Sequence, residues 1–166
     1  MDKTILNRAK KIKLLLTDVD GVLTDGGMYY TEKGDIMKKF HVRDGMGVTL
    51  LRKNNIPTII VTKEQTQMAR QWAKKMKIEK ILDGITKKEN ILPTICKQFK
   101  ISKNEIAYIG DDVNDVELLK KVGFSAVPDD AISLAKENSD YTCKKRGGEG
   151  VLREVAEIIL SAKAKS

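Results

Sequence analysis

The sequence predicts an α/β fold, with a mostly parallel sheet and helices on both of its faces. Short apolar runs typical of buried strands alternate along the 166 residues with longer amphipathic segments. This alternation indicates β–α–β units, which build parallel sheets covered by helices. Hydrophobic residues make up 41% and charged residues 33%, which is typical of a globular chain rather than a disordered one. No repeat or linker divides the sequence, so we interpret residues 1–166 as a single domain.

The first half of the chain predicts three strands, a hairpin and two helices. Two β-prone runs surround the turn residues Glu32 to Gly34, which is typical of a hairpin, and a hairpin this small needs a packing partner. Met68, Trp72 and Met76 recur at helical spacing and predict a stripe that faces the core. The predicted elements are a strand over 14–16, the hairpin over 28–40, a polar loop over 41–47, helices over 48–53 and 63–77, and strands over 58–62 and 78–84.

The second half continues the alternation. Ser102 and Glu105 have the spacing of a capping box and predict a short turn. Residues 144–150 are basic and rich in glycine, which predicts a flexible loop. The predicted elements are helices over 89–100, 116–122, 132–138 and 151–162, and strands over 106–109, 125–127 and 141–143.

The net charge of +8 raises the question of a nucleic-acid partner. The lysines are dispersed through amphipathic segments, and aromatic residues are only 5%, too few to supply stacking platforms for bases. We therefore expect no nucleic-acid partner. A basic surface of this kind attracts anionic substrates such as phosphate esters.

Membrane and compartment signals are weak throughout the sequence. No apolar run reaches the roughly 18 residues that cross a bilayer, and residues 1–7 lack a signal-peptide pattern. Cys96 and Cys143 lie far apart without metal-binding spacing, which is typical of two free thiols in a reducing compartment. We expect a cytoplasmic protein without a membrane partner.

Two aspartates follow the first predicted strand. Residues i and i+2 of an extended chain point the same way, so Asp18 and Asp20 can face one site. Their like charges repel unless a cation or a shared proton relieves them. An isolated Asp-x-Asp is usually only an acidic turn, so the interpretation depends on matching residues elsewhere.

Matching residues lie at or just beyond the ends of later strands. Carboxylates can attack phosphorus and can bind a hard divalent cation, while hydroxyl and ammonium groups can offset phosphoryl charge. Parallel strands direct their carboxyl ends to one edge, where open α/β sheets bind ligands. The sequence therefore predicts phosphoryl transfer by a site comprising Asp18, Asp20, Thr62, Lys88, Asp111, Asp112 and Asp115.

These residues fall in four motifs that resemble the haloacid dehalogenase superfamily of phosphatases. The motifs are 18–24, Thr62, Lys88 and 110–115, and the resemblance spans nearly the whole chain. It implies a Rossmann-like fold and a magnesium-dependent phosphatase that forms an aspartyl-phosphate. The implied roles are nucleophile for Asp18, general acid/base for Asp20, phosphate binding for Thr62 and Lys88, magnesium coordination by Asp18, the main-chain carbonyl of Asp20 and Asp111, and support of the metal by Asp112 and Asp115.

A closer resemblance is to a branch without a cap domain that dephosphorylates 3-deoxy-2-keto sugar acids. The hairpin and residues 23–26, 40–47 and 146–154 carry this resemblance. Subunits of a tetramer in that branch close each other's sites with the hairpin and the C-terminal segment, which implies a homotetramer here. Arg43 and Asp44 either contact the substrate or pair with each other. Further candidate substrate contacts are Gly45, Lys63, Glu64, Lys75 and Arg146.

Two substrates stay open within this branch. Phosphatases of 3-deoxy-D-manno-octulosonate 8-phosphate usually carry Gly-Arg after the second-motif residue, whereas this chain has Lys63 and Glu64. Glu64, with Lys75 beyond it, resembles phosphatases of nonulosonate 9-phosphates and favours the nine-carbon acid. The alternative for Glu64 is an ordinary acidic residue at the start of a helix.

Three alternative functions follow from the same residues. Similar domains fused to nucleotidyltransferases serve mainly in oligomerisation, but the intact pair of Asp18 and Asp20 speaks against that function. A receiver-like domain would only accept phosphate on Asp18, whereas the neighbouring Asp20 can activate water for hydrolysis. A phosphatase of another small sugar phosphate is the third.

Overall fold

A six-stranded parallel sheet lies at the centre of the computed structural model, which describes residues 2–164. The strands of the sheet are β1 Leu14–Thr17, β4 Thr58–Val61, β5 Lys80–Leu82, β6 Ile106–Ile109, β7 Phe124–Val127 and β8 Tyr141–Thr142. Their order in the sheet is β5-β4-β1-β6-β7-β8, and all five pairings are parallel. β1 and β6 consist of fully buried residues, as expected for strands covered on both faces. This architecture confirms the predicted α/β fold.

A separate antiparallel hairpin follows β1 and confirms the prediction around Glu32 to Gly34. It consists of β2 (Tyr29–Thr31) and β3 (Gly34–Met37), and a bridge between Thr24 and Phe40 closes its base. Within residues 2–164, only this hairpin and one helix separate β1 from β4, so that interval contains no cap domain.

Seven helices cover the two faces of the sheet in the described part of the chain. Side chains alternate along the strands, so Leu15 faces one apolar cluster while Leu14 and Leu16 face the other. The helices are α1 Lys3–Lys10, α2 Val42–Lys53, α3 Gln67–Met76, α4 Leu92–Phe99, α5 Val116–Leu119, α6 Ser133–Glu137 and α7 Val151–Ala164. Helices α1, α2, α3 and α7 contribute to the first cluster, and α4, α5 and α6 contribute to the second.

None of the helices between residues 2 and 164 combines the length and apolar character needed to span a membrane.

The start of α2 corrects the predicted loop over 41–47. The helix begins at Val42, and the ring of His41 accepts the N–H of Arg43 as its cap. Glycine disfavours helices by about 1 kcal/mol relative to alanine, which is why the sequence suggested a loop. The two glycines instead allow close packing: a Cβ on Gly45 would lie 2.4 Å from Met76 Sδ, and one on Gly47 would lie 2.8 Å from Leu152.

The segment over 144–150 also differs from its prediction as a flexible loop. Gly148 donates its N–H to the carbonyl of Val22 at 3.0 Å, and Gly147 donates to Asp130 Oδ1 at 2.9 Å. A Cβ on Gly147 would lie 2.2 Å from the carbonyl oxygen of Gly21. The glycines therefore bring this segment against the turn that follows β1.

Two further features depart from the sequence interpretation. Helix α1 was not predicted; Asp2 caps it by accepting the N–H of Thr4 at 2.9 Å. The predicted stripe of Met68, Trp72 and Met76 is only partly buried. The fully buried residues of α3 are instead Ala69 and Ala73. Trp72 is half-buried and stacks on Phe40 with ring centroids 4.9 Å apart.

Candidate active site

Three adjacent strands place the first, second and fourth motifs at one edge of the sheet. Asp18 follows β1, Thr62 follows β4 and Asp111 follows β6 by two residues. From β1 the chain continues to β4 on one side, and β6 later pairs with β1 on the other side. The strand order therefore reverses at β1. Open α/β sheets bind ligands in the crevice at such a point.

Lys88 joins the third motif to this edge. It begins a 3₁₀ helix over Lys88–Ile91, and its side chain is fully buried. Its Nζ lies 2.7 Å from Asp18 Oδ2 and 2.6 Å from Asp115 Oδ1. The ammonium group therefore bridges the first and fourth motifs, which are almost a hundred residues apart in sequence.

Asp115 uses both of its oxygens within the protein. Oδ1 accepts bonds from Lys88 and, at 2.5 Å, from the hydroxyl of Tyr108. Oδ2 accepts the N–H groups of Asp111 at 2.8 Å and Asp112 at 3.1 Å. Because four donors occupy it, Asp115 fixes the loop after β6. Tyr108 is an addition that the sequence analysis missed.

Three carboxylates crowd one small volume. Oxygens of Asp18, Asp111 and Asp115 lie within 4.8 Å of one another. Burial raises the pKa of Asp18 to about 7, although Lys88 opposes this effect. Burial and the charges of Asp18 and Asp115 raise the pKa of Asp111 to about 8. When all three are ionised, three carboxylates against one ammonium leave a charge of −2. A divalent cation that prefers oxygen ligands would offset this charge and would favour the ionised forms.

A cleft of about 200 Å³ opens onto this cluster. Thr62 is buried at its wall, whereas Lys63, Glu64 and Asp112 are exposed around it. Asp112 caps the 3₁₀ turn after it, accepting the N–H of Val113 at 2.6 Å. The lining residues are Asp18, Asp20, Thr62, Lys63, Glu64, Asp111, Asp112 and Asn114.

Asp20 has a partner that the sequence analysis did not identify. Nζ of Lys38, which follows β3 of the hairpin, lies 2.6 Å from Asp20 Oδ1 and 3.1 Å from Glu64 Oε2. The Thr24 hydroxyl also lies 3.4 Å from Asp20 Oδ1. No sequence motif signals Lys38, since it reaches Asp20 only through the fold of the hairpin.

Two predicted substrate contacts lie beside the cleft rather than in it. Arg43 and Lys75 line a groove of about 780 Å³ together with Lys38 and Trp72. Lys38 lines this groove and also contacts Glu64, so the groove adjoins the cleft. Arg146 is exposed and pairs with Asp130 at 3.3 Å.

Asp44 and Gly45 are buried, Asp44 against α7 and Gly45 against α3. Asp44 Oδ1 accepts the N–H of Arg153 near the start of α7 at 3.0 Å. Neither of the two alternatives considered for Asp44, a substrate contact or a pair with Arg43, accounts for this bond. The residue instead satisfies a main-chain N–H that the first turn of α7 leaves without a helical partner.

Comparison with known proteins places these features in context. A family model described as haloacid dehalogenase-like hydrolase matches residues 62–155. The chain is 33% identical over 161 residues to the 3-deoxy-D-manno-octulosonate 8-phosphate phosphatase of Salmonella typhi, covering 97% of this chain and 86% of that protein.

Solved structures show the same likeness. The 3-deoxy-D-manno-octulosonate 8-phosphate phosphatase of Moraxella catarrhalis, in complex with a magnesium ion, a phosphate ion and a KDO molecule, has a TM-score of 0.95 at 35% identity, covering 99% of this chain and 95% of that chain. The cobalt-bound form of the corresponding Haemophilus influenzae phosphatase has a TM-score of 0.91 at 34% identity, covering 96% and 93%. The likeness therefore extends over nearly the whole of each chain.

Proposed function

The chain belongs to the haloacid dehalogenase-like hydrolases, and from this premise we propose that it is a magnesium-dependent phosphatase of a 3-deoxy-2-keto sugar acid. One observation carries the proposal. Lys88 holds Asp18 where it lines the cleft, Asp20 lies beside Asp18, and Asp111 is close enough to Asp18 for both to bind one metal ion. This arrangement contains a nucleophile, a second acid for proton transfer and a divalent-cation site.

The reaction follows from the roles of the two aspartates. A carboxylate oxygen of Asp18 attacks phosphorus and forms an aspartyl-phosphate, while the bond from phosphorus to the sugar oxygen breaks. Asp20 gives its proton to the departing sugar oxygen. It then takes a proton from the water that hydrolyses the aspartyl-phosphate, which releases phosphate and restores Asp18.

Lys88 and Thr62 offset the negative charges of Asp18 and of the phosphoryl group. Lys88 offsets part of the negative charge of Asp18, so that an anionic phosphate ester can approach it. The Thr62 hydroxyl lies in the wall of the cleft and can donate to a phosphoryl oxygen.

Asp18, Asp111 and the main-chain carbonyl of Asp20 are the residues that would hold magnesium. Their oxygens are the hard ligands this ion prefers, and the surplus negative charge of the cluster matches a divalent cation. When bound, magnesium supplies charge stabilisation for the phosphoryl group. Asp115 is left in a supporting role because its oxygens are already occupied.

Two sugar acids are candidates for the substrate. The relatives support 3-deoxy-D-manno-octulosonate 8-phosphate, the substrate in the name of the Salmonella typhi enzyme. Glu64 supports a nonulosonate 9-phosphate, because it places a carboxylate at the cleft where the eight-carbon enzymes usually have arginine. A carboxylate there would accept bonds from sugar hydroxyls, whereas an arginine would pair with a sugar carboxylate.

Side-by-side kinetics test this proposal. We expect magnesium-dependent release of phosphate from one or both sugar acids, and its loss when a chelator removes the metal. The ratio of kcat/KM for the two substrates should shift by about tenfold in Glu64→Ala if Glu64 contacts the sugar. Turnover that survives the chelator would contradict the metal site, and an unchanged ratio would exclude Glu64 as the discriminator.

We also propose a cytoplasmic homotetramer. Cys96 and Cys143 are both free, which is typical of a reducing compartment. Large apolar side chains are exposed on the hairpin and the first turns of α2, which supports a partner for this surface. These residues, here called the hairpin patch, are Met28, Tyr30, Ile36, Met37, Val42 and Met46.

A further inference from the structure

The hairpin sends one lysine back to the cleft of its own chain. The Lys38 side chain is only 5% exposed, although the hairpin residues Ile36 and Met37 just before it are exposed. Its Nζ lies 2.6 Å from Asp20, 3.1 Å from Glu64 and 3.7 Å from Asp35. Burial alone would lower the pKa of Lys38, but the bonds to Asp20 and Glu64 raise it, so the group is an ammonium at neutral pH.

We propose that Lys38 is a positioning residue for Asp20, and that the hairpin thereby fixes the carboxyl group that transfers the proton to the leaving sugar oxygen. This inference rests on the proposed function, because it assigns Lys38 a task only if Asp20 is the general acid/base. It adds to that function a hairpin residue that acts within the same subunit.

The geometry distinguishes Lys38 from an ordinary surface ion pair. Exposed pairs contribute little because water competes for both charges and the long side chains lose freedom. Here the ammonium is nearly buried, and the bond to Asp20 is its shortest contact. Glu64, which accepts a second bond from the same ammonium at 3.1 Å, limits its movement further. Lys38 thus connects the hairpin, the turn after β1 and the segment after β4.

The position of Asp20 matters because proton transfer depends on distance and angle. A displacement of about 1 Å at a reacting group can cost about 100-fold in rate. The side chain of Asp20 is about one-third exposed, and the hydroxyl of Thr24 lies farther from its carboxylate than Lys38 does, at 3.4 Å. Loss of the ammonium would therefore leave Asp20 free to rotate away from the sugar oxygen.

The leaving group supplies a readout that a purely structural role would not move. The alkoxide of a sugar leaves poorly and needs the proton, whereas p-nitrophenolate leaves readily without one. The value of kcat/KM reports the steps up to departure of the leaving group and excludes the later hydrolysis of the aspartyl-phosphate. A defect in the positioning of the acid should therefore appear with the sugar substrate and nearly vanish with p-nitrophenyl phosphate.

The experiment compares four variants of the full chain with magnesium. For Lys38→Met, we expect kcat/KM to fall about 10- to 100-fold on the better of the two sugar-acid phosphates and less than about 3-fold on p-nitrophenyl phosphate. Lys38→Arg should recover part of the loss. Lys39→Met is the matched control, since Lys39 is exposed and its nearest carboxylate, Asp25, lies 3.6 Å away. It should behave as the unaltered protein.

Asp20→Asn separates the two levels of the proposal. If Asp20→Asn shows the substrate-dependent loss and Lys38→Met loses activity equally on both substrates, or on neither, the inference about Lys38 is wrong. If Asp20→Asn itself shows no dependence on the leaving group, the assignment of Asp20 as the acid fails, and the role of Lys38 fails with it.

Discussion

Lys88 could be predicted from its residue type and its place in the chain, whereas the bonds that Asp115 makes could not. Each motif residue has a side chain suited to phosphoryl transfer, so residue type and position after a strand sufficed to predict that Asp18, Thr62, Lys88 and Asp111 lie at one edge of the sheet. Tyr108 and Lys38 could not, because a buried tyrosine and a hairpin lysine are common and their partners are set by the fold. The sequence also carried no sign that Asp115 would be saturated by four donors.

Gly21 provides a test of the metal site at this scale. The residue has φ of +80°, and a Cβ on it would lie 2.0 Å from Asp111 Oδ2. Gly21→Ala should push Asp111 out of place and raise the magnesium concentration for half-maximal activity by about 10- to 100-fold. A titration of activity with magnesium measures this change.

Gly26→Ala is the matched control for that titration. Gly26 also has a positive φ, of +69°, but a Cβ there would meet its neighbours only at 3.5 Å or more. Both variants carry the backbone strain, and only Gly21→Ala displaces a carboxylate. Equal magnesium requirements in the two variants would contradict the placement of Asp111 as a ligand.

The helices were predicted less completely than the strands. The predicted bounds of β6 match the observed ones, because four consecutive apolar residues end at a glycine. The start of α2 was missed since its glycines lower intrinsic helix propensity, and only the close approach of Met76 and Leu152 explains them. The sequence analysis likewise gave Asp44 to the substrate or to Arg43 and missed its bond to Arg153, because that partner on α7 lies 109 residues away.

Asp44→Ala should destabilise the junction of α2 and α7. The substitution leaves the N–H of Arg153 without its acceptor in a buried region, which costs about 1–3 kcal/mol in the free energy of unfolding. Urea denaturation at about pH 4, where the raised pKa keeps the Asp44 carboxyl group largely protonated in the folded state, measures the change. Asp129→Ala, at an exposed aspartate, should change stability by less than about 0.5 kcal/mol. A similar effect for both substitutions would exclude the capping role.

The pH dependence of stability tests the burial of the Asp44 carboxyl group independently. Burial raises the pKa of Asp44 from 3.8 to about 6, so the folded state holds this proton more tightly than the unfolded state. Protonation of Asp44 therefore stabilises the folded protein below about pH 4, and this stabilisation is lost as the pH rises through about 6.

Asp44→Asn mimics the protonated carboxyl group over that whole range. Relative to the unaltered protein, the variant should gain up to about 3 kcal/mol in the free energy of unfolding between pH 4 and pH 6. A constant difference between the two proteins across this range would contradict the raised pKa.

At the scale of the whole molecule, both the fold and the family could be predicted from the sequence. Alternating strands and helices indicated the α/β fold, and the four motifs indicated the family, because both signals are local in sequence. The hairpin was recognisable, but its inward-facing Lys38 was not. The interpretation of residues 1–166 as a single domain, and the homotetramer, stay predictions.

Light scattering on the purified protein tests the homotetramer. We expect a mass near four times the 18.6 kDa chain. Ile36→Glu introduces a charge into the hairpin patch, where Ile36 is 60% exposed, and should reduce the mass. Leu134→Glu places the same charge on α6, on the opposite face of the sheet, and should leave it unchanged. A monomeric mass for the unaltered protein would contradict the proposal.

The phosphorylated intermediate tests the central claim most directly. The protein is mixed with magnesium and a sugar-acid phosphate, quenched in acid during turnover, and its peptides are analysed by mass spectrometry. We predict one phosphoryl group on the peptide that contains Asp18. Asp18→Asn should fold normally, carry no phosphoryl group and lose at least about 1,000-fold in turnover. A phosphoryl group on another residue, or turnover retained by Asp18→Asn, would contradict the account.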